Sequence, residues 1–126
     1  MSGLRILLVE DEILIAEDAR ILLERMGYLV VGTAASGPEA VQQADELRPD
    51  LILMDVRLQG AMNGVEAARR IRSQTDIPII YVTAHASVLA SSENGDRCTC
   101  LAKPFSPSQL QAAVQAVLGR TEHPVH

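Results

Sequence analysis

The sequence predicts an α/β fold in which a parallel sheet carries helices on both faces. Two apolar runs, residues 4–9 and 51–54, have the composition of strands that are buried on both sides, and an acid follows each run directly, Glu10 and Asp55. Five predicted strands alternate with five segments of helical spacing, and this alternation is typical of βα units. Because ligands of such sheets bind beyond the carboxyl ends of the strands, the two acids are candidates for function.

Length and composition favour one cytoplasmic domain. The chain has 126 residues, of which 48% are apolar and 21% charged, and we expect a domain over residues 1–119 with a flexible tail over residues 120–126. Its start lacks the pattern of a signal peptide, and no apolar run is long enough to span a membrane, so we expect no membrane partner. The net charge of -5 argues against nucleic acid as a direct partner.

Period-two and apolar patterns place the strands. The predicted strands are residues 4–9, 29–33, 51–56, 77–82 and 98–102. The last strand contains Cys98 and Cys100, which we interpret as two small buried side chains, because a metal site needs more ligands than this pair supplies; a redox role stays open.

Capping residues place the helices. The first helix carries apolar residues from Ile15 to Met26, and Gly27 is predicted to end it. Ser36 has the capping-box spacing to Glu39 and opens a second helix through about residue 47, and a third helix covers residues 65–73.

The carboxyl-terminal part contains a segment of weak signal followed by a clearly predicted helix. Residues 85–97 are weakly helical and then loop-like, and we expect them to be the most mobile segment. Ser106 and Gln109 have the spacing of a second capping box, so the last helix is predicted to begin at Pro107 and to end at Gly119.

Three acids are predicted to meet at one edge of the sheet. If the first and third strands are neighbours, Glu10, Asp11 and Asp55 lie together, and their mutual repulsion calls for a hard cation. Oxygen ligands are those that Mg²⁺ prefers, so the sequence predicts a site for Mg²⁺ or Mn²⁺. An isolated Asp after a strand would more often only start a turn, but Asp55 is not isolated.

Two further polar residues follow the fourth and fifth strands. Thr83 supplies a hydroxyl and Lys103 an ammonium at the same edge. A metal, an ammonium and a hydroxyl around one carboxylate would stabilise a phosphoryl group in transfer, with Asp55 as the nucleophile. The predicted product is an aspartyl phosphate.

Four motifs in this order carry a family resemblance: Val9-Glu10-Asp11-Glu12, Leu53-Met54-Asp55, Val82-Thr83-Ala84 and Leu101-Ala102-Lys103-Pro104-Phe105. Over residues 4–118 the chain resembles the receiver domain of two-component response regulators. The resemblance implies a flavodoxin-like fold of five βα units with strand order 2-1-3-4-5. It also implies phosphoryl transfer from a histidine kinase or a histidine phosphotransfer protein.

The resemblance assigns a role to each matching residue. Asp55 would be the phosphoacceptor, Thr83 would bind the phosphoryl group, and Lys103 would pair with it. For the metal, Asp11 would be a direct ligand, Glu10 would act through water, and Arg57 would offer its backbone carbonyl. A downstream protein would bind the face made by the fourth helix, fifth strand and fifth helix, and the resemblance also allows a homodimer. The protein would be no enzyme beyond catalysing its own phosphorylation and dephosphorylation.

Departures from the family pattern and rival functions complete the prediction. Cys100 stands where the family usually has an aromatic switch residue, so we expect signalling to rest on Thr83, Lys103 and residues 85–97.

A binding module without phosphate chemistry would lack one of the reacting residues. A phosphohydrolase would add a second Asp where Arg57 stands, and a flavin carrier would be coloured.

Overall fold

A computed structural model describes residues 3–58, 60–83 and 99–121, without the side chains of residues 119–121. Gln59, Cys98, the predicted mobile segment 85–97 and the end of the tail lie outside the described residues. The elements in chain order are β1 (Arg5–Val9), α1 (Ile13–Arg25), β2 (Leu29–Ala34), α2 (Gly37–Leu47), β3 (Leu51–Asp55), α3 (Gly64–Gln74), β4 (Ile79–Thr83), β5 (Thr99–Ala102) and α4 (Pro107–Thr121). The helix named α4 corresponds to the last of the five predicted helices.

The five strands form one parallel sheet in the order β2-β1-β3-β4-β5, as predicted for a flavodoxin-like fold. The register pairs Asp55 of β3 with Val82 of β4, and Thr83 of β4 with Ala102 of β5. The strands β3, β4 and β5 therefore end at nearly the same level, and the residues that follow them lie at the carboxyl edge of the sheet.

Strand alternation divides the core into one apolar cluster on each face of the sheet. In the first cluster, Leu7, Ile52 and Tyr81 pack beneath α2 and α3. In the second cluster, Leu8 and Leu53, which follow Leu7 and Ile52 in the sequence, pack beneath α1 and α4. Every residue of β3 is buried, because helices cover both sides of this central strand. The prediction of a strand buried on both faces is confirmed.

Both predicted helix caps are present. Ser36 Oγ accepts a hydrogen bond from Glu39 N at 3.3 Å, although the Glu39 carboxylate accepts from the amide of Ala35 and not from that of Ser36. At the start of α4 the box is reciprocal: Ser106 Oγ accepts from Gln109 N at 3.2 Å, and Gln109 Oε1 accepts from Ser106 N at 2.9 Å. These bonds satisfy amides that the first helical turn leaves without partners.

The two predicted glycine stops behave differently. Gly27 has a φ of 95° just after α1, as expected of a glycine that ends a helix. The prediction that Gly119 ends the last helix is wrong, because α4 continues to Thr121. A single glycine in a last turn costs only about 1 kcal/mol, which a helix packed on the sheet can offset.

Candidate functional site

One cleft at the carboxyl edge of the sheet contains every residue predicted for the site. Its volume is about 590 Å³. The six predicted residues on its wall are Glu10, Asp11, Asp55, Arg57, Thr83 and Lys103. Glu10 and Asp11 follow β1, Asp55 ends β3, Thr83 ends β4, and Lys103 follows β5. The parallel strand order brings together residues that lie far apart in the sequence.

Three carboxylates in this cleft are close enough to share a cation. Glu10, Asp11 and Asp55 each offer one carboxylate oxygen, and these oxygens lie within 4.8 Å of one another. Glu10 and Asp55 are buried, with exposed fractions of 8% and 5%, while Asp11 is half-buried. Grouped, mostly buried carboxylate oxygens repel one another without a cation and suit a hard divalent ion such as Mg²⁺.

The ammonium of Lys103 lies between two of these acids. Its Nζ is 3.2 Å from Glu10 Oε1 and 3.5 Å from Asp55 Oδ2. Burial raises the pKa of Glu10, and the charge of Asp55 raises it further. Burial would lower the pKa of Lys103, but the nearby charges of Asp55 and Glu10 outweigh it, so that pKa is raised. Lys103 is therefore charged at neutral pH and offsets only part of the negative charge around it.

The carboxylate of Asp55 is oriented from two sides. Its Oδ1 accepts a hydrogen bond from the backbone amide of Arg57 at 3.0 Å, and its Oδ2 faces Lys103. The amide of Arg57 thus contacts the acid directly, while the carbonyl of the same residue is the group for which a metal role was predicted. An acid held in this way presents its oxygens in a fixed direction.

Thr83 and Lys103 are tied together through the backbone. Thr83 is buried, and its carbonyl oxygen accepts a hydrogen bond from Lys103 N at 3.0 Å. This bond continues the pairing of β4 with β5 beyond Ala102. The hydroxyl residue and the ammonium residue therefore come from adjacent strand ends.

Sequence reasoning missed a complete capping box beside the site. Asn63 Oδ1 accepts from Glu66 N at 2.9 Å, and Glu66 Oε1 accepts from Asn63 N at 3.2 Å, at the start of α3. Asn63 also lines the cleft. The signal was the Asn-x-x-Glu spacing, which is equivalent to the Ser-x-x-Glu pattern used for α2.

A second cavity, of about 440 Å³, shares Glu10, Asp55 and Lys103 with the acidic cleft. Most of its wall is apolar and comes from the inner side of α1, from β1, β3 and β4, and from Phe105. The same three charged residues thus line both the acidic cleft and a mostly apolar cavity. No sequence pattern predicted this cavity, because it depends on how α1 packs against the segment after β5.

Comparison with known proteins decides the family. The family described as response regulator receiver domain matches residues 6–115. The chain belongs to this family. The receiver domain is 36% identical over 114 residues to the phyllosphere-induced regulator PhyR of Methylorubrum extorquens, an alignment that covers 90% of this chain and 43% of that protein.

Solved structures agree with this assignment. The anti-anti-sigma factor PhyR from Bartonella quintana matches with a TM-score of 0.85 and 32% identity over 98% of this chain and 50% of that one. The receiver domain of sensor histidine kinase PA1611 from Pseudomonas aeruginosa PAO1 matches with a TM-score of 0.77 and 36% identity, covering 94% and 99% of the two chains. That structure has a magnesium ion coordinated in its active-site cleft.

The receiver domain spans about half the length of the curated relatives it matches, 43% of PhyR and 57% of the transcriptional regulatory protein PdtaR of Mycobacterium tuberculosis. Receiver domains are regulators of two-component signalling and not enzymes in the usual sense. Within the described ranges, no helix is both long and apolar enough to cross a bilayer.

Proposed function

We propose that this receiver domain accepts a phosphoryl group on Asp55 in a two-component or phosphorelay system. The observation that carries the proposal is the meeting of Asp55, Thr83 and Lys103 with two further acids in one cleft. The donor would be the phosphohistidine of a histidine kinase or of a histidine phosphotransfer protein. Catalysis by this chain would be limited to its own phosphorylation and dephosphorylation.

The transfer follows from the chemistry of the side chains. An oxygen of the Asp55 carboxylate forms a bond to phosphorus while the bond from phosphorus to the donor imidazole breaks, and the imidazole nitrogen keeps the electron pair. Lys103 lies beside the acceptor oxygen and stabilises the added negative charge, and the Thr83 hydroxyl is a donor to a phosphoryl oxygen. A bound Mg²⁺ or Mn²⁺ would neutralise charge on the phosphoryl oxygens.

Four chain groups would hold that cation. They are the carboxylates of Glu10, Asp11 and Asp55 and the backbone carbonyl of Arg57. Asp11 is the direct ligand in this proposal, and Glu10 acts through water, since its carboxylate already contacts Lys103 and the amide of Glu12. The oxygen-rich composition of the set fits a hard cation that keeps several waters.

Output would take place through protein contacts in the cytoplasm. The downstream partner would bind the surface that includes β5 and α4, and a homodimer would be one form of such contact. The anti-anti-sigma role is that of the Bartonella PhyR, of which this chain covers half. For this chain we therefore propose a protein partner without naming it. The net charge of -5 gives no support to direct nucleic-acid binding.

Labelling with a small phosphodonor tests the proposal. The protein is incubated with acetyl phosphate, with Mg²⁺ or with a chelator, and intact mass is measured. We expect one phosphoryl group on the wild type only when Mg²⁺ is present, and none on Asp55→Asn. The matched control is Asp45→Asn, which changes a carboxylate on the exposed face of α2 and should be labelled like the wild type. Equal labelling of Asp55→Asn would refute the proposed acceptor.

A further inference from the structure

Gly64, the first residue of α3, lies directly against the backbone of the proposed acceptor. A Cβ placed on Gly64 would overlap the carbonyl oxygen of Asp55 and would lie 2.8 Å from the Cα of Val56 and 2.9 Å from the carbonyl carbon of Asp55. The amide of Gly64 also donates to the carbonyl of Val56 at 3.0 Å. Backbone atoms cannot rotate away, so any side chain here would displace the Asp55–Val56 peptide.

Gly37, the first residue of α2, makes a similar contact at the other end of the same loop. A Cβ on Gly37 would lie 2.8 Å from both the carbonyl oxygen and the Cγ of Met62, and 2.9 Å from its Cβ. Met62 precedes the N-cap Asn63 of α3 by one residue. The described residues of the loop between β3 and α3, 56–58 and 60–63, are called the acceptor loop here. They contact a buried glycine that begins a helix at each end.

The acceptor loop orients the carboxylate of Asp55, the proposed acceptor. Arg57 N donates to Asp55 Oδ1 at 3.0 Å, and the other oxygen of Asp55 is 3.5 Å from Lys103 Nζ. A displaced Asp55–Val56 peptide would move the amide of Arg57 and turn the carboxylate away from Lys103. Misplacement of reacting groups by about 1 Å is enough to slow a reaction by about a hundredfold.

We propose that Gly64 and Gly37 are positioning residues for phosphoryl acceptance. They allow the amino ends of α3 and α2 to contact the acceptor loop so closely that Asp55 and Arg57 are held in register with Lys103. The inference rests on the proposed function of Asp55. Gly64 has the larger effect, because it contacts the backbone of the acceptor itself.

A third glycine provides a matched control. Gly32 in β2 is also crowded, since a Cβ there would lie 2.6 Å from Gln43 Oε1 and 2.7 Å from Leu47 Cδ1. Both atoms are the ends of flexible side chains that can move, and neither belongs to the acceptor loop. Gly32→Ala therefore adds the same methyl group without reaching Asp55.

The experiment compares Gly64→Ala, Gly37→Ala and Gly32→Ala with the wild type. It measures Tm, the Mg²⁺ concentration for half-maximal labelling, and the rate of labelling by acetyl phosphate at saturating Mg²⁺. We expect the saturated rate per folded molecule to fall by roughly ten- to a hundredfold in Gly64→Ala and by less in Gly37→Ala. Gly32→Ala should keep the wild-type rate even where its Tm changes.

The amide resonance of Arg57 reports the positioning without any chemistry. We expect its chemical shift to move in Gly64→Ala and Gly37→Ala and to stay unchanged in Gly32→Ala. If both loop variants keep the wild-type saturated rate and the wild-type Arg57 resonance, the glycines are only structural and the inference is overturned; Gly37→Ala alone decides this if Gly64→Ala does not fold. Failure of the wild type to label would refute the proposed function, while the resonance would still test the positioning.

Discussion

The two links that carry acids into the cleft begin their helices in different ways. At the β1–α1 link, the N-cap residue Glu12 makes no capping hydrogen bond through its side chain to any described residue, and its amide donates instead to Glu10 Oε2 at 3.2 Å. At the β3–α3 link, the capping box of Asn63 and Glu66 satisfies the helix start, and Asp55 is left to the cleft. The carboxylate of Glu10 thus contacts both Lys103 and the amide of the N-cap residue Glu12. Near β3 the N-cap amide of Asn63 donates to Glu66 instead, and the amide that Asp55 accepts from, that of Arg57, lies in the loop before α3.

The first residues of the two helices also differ in their exposure to solvent. Ile13 and Leu14, the first residues of α1, have exposed fractions of 82% and 80%. Gly64, the first residue of α3, is buried against the backbone of Asp55. The β1–α1 side of the cleft is therefore flanked by exposed residues, while the β3–α3 side is fixed by close packing and by a capping box.

Metal binding is expected to give the largest effect, and its proposed direct ligand Asp11 lies on the β1–α1 side. Addition of Mg²⁺ should stabilise the wild type by about 2.7 kcal/mol at a free concentration one hundred times Kd, because the ion binds only the folded acid cluster. Asp11→Asn should lose most of this gain, whereas Asp45→Asn, on the exposed face of α2, should keep it. Urea unfolding with Mg²⁺ and with chelator measures the difference, and an equal gain in Asp11→Asn would contradict the metal site.

Removal of Lys103 tests the charge shared by the two sides. Without metal, Lys103→Ala leaves Glu10 and Asp55 buried without their nearby cation and should cost about 1–3 kcal/mol at neutral pH. The raised pKa of Glu10 means that the folded protein binds this proton more tightly than the unfolded chain does. The contribution of Glu10 to stability is therefore favourable at low pH and is lost as pH rises through the raised pKa.

The cost of Lys103→Ala should accordingly shrink as the pH is lowered through the range where Glu10 takes up its proton. Urea titrations of both proteins at several pH values measure it, and a cost that does not depend on pH would contradict the charge assignment. Mg²⁺ affinity should change far less in Lys103→Ala than in Asp11→Asn, because the lysine contacts the acids and is not a ligand.

The caps give the smallest of these effects and compare the links directly. Asn63→Ala should lower the free energy of unfolding by about 1 kcal/mol, as should the control Ser106→Ala at the other reciprocal box. Glu12→Ala should stay within about 0.5 kcal/mol, since no side-chain cap is lost at α1. A cost at Glu12 equal to that at Asn63 would remove the distinction between the two helix starts.

The sequence sufficed where the signal was local or where residues follow the carboxyl ends of parallel strands. The apolar run of β3, the caps at Ser36 and Ser106 and the convergence of Asp55 with Lys103 were all predicted in this way. Family resemblance added the strand order and the individual roles, of which the strand order is confirmed. The roles of the site residues stay predictions that the geometry supports.

The rest depended on contacts between distant segments. The close approach of Gly64 to the Asp55 backbone exists because the start of α3 lies against the end of β3, and a glycine in a loop sequence does not reveal that. The hydrogen bond from Glu12 N to Glu10 is an exception, because it is local but replaces the usual capping pattern at a helix start. The extension of α4 past Gly119 shows that the low helix propensity of one glycine, worth about 1 kcal/mol, does not by itself end a helix.

Localisation of the phosphoryl group tests the central claim most directly. Wild-type protein labelled by acetyl phosphate with Mg²⁺ is reduced with borohydride, which converts an aspartyl phosphate to homoserine, and its peptides are sequenced by mass spectrometry. We predict homoserine at position 55 and at no other acid of the cleft, and none when Mg²⁺ is chelated. Conversion at Asp11, or equal conversion of Asp55 without a divalent cation, would contradict the assignment of acceptor and metal-binding acids.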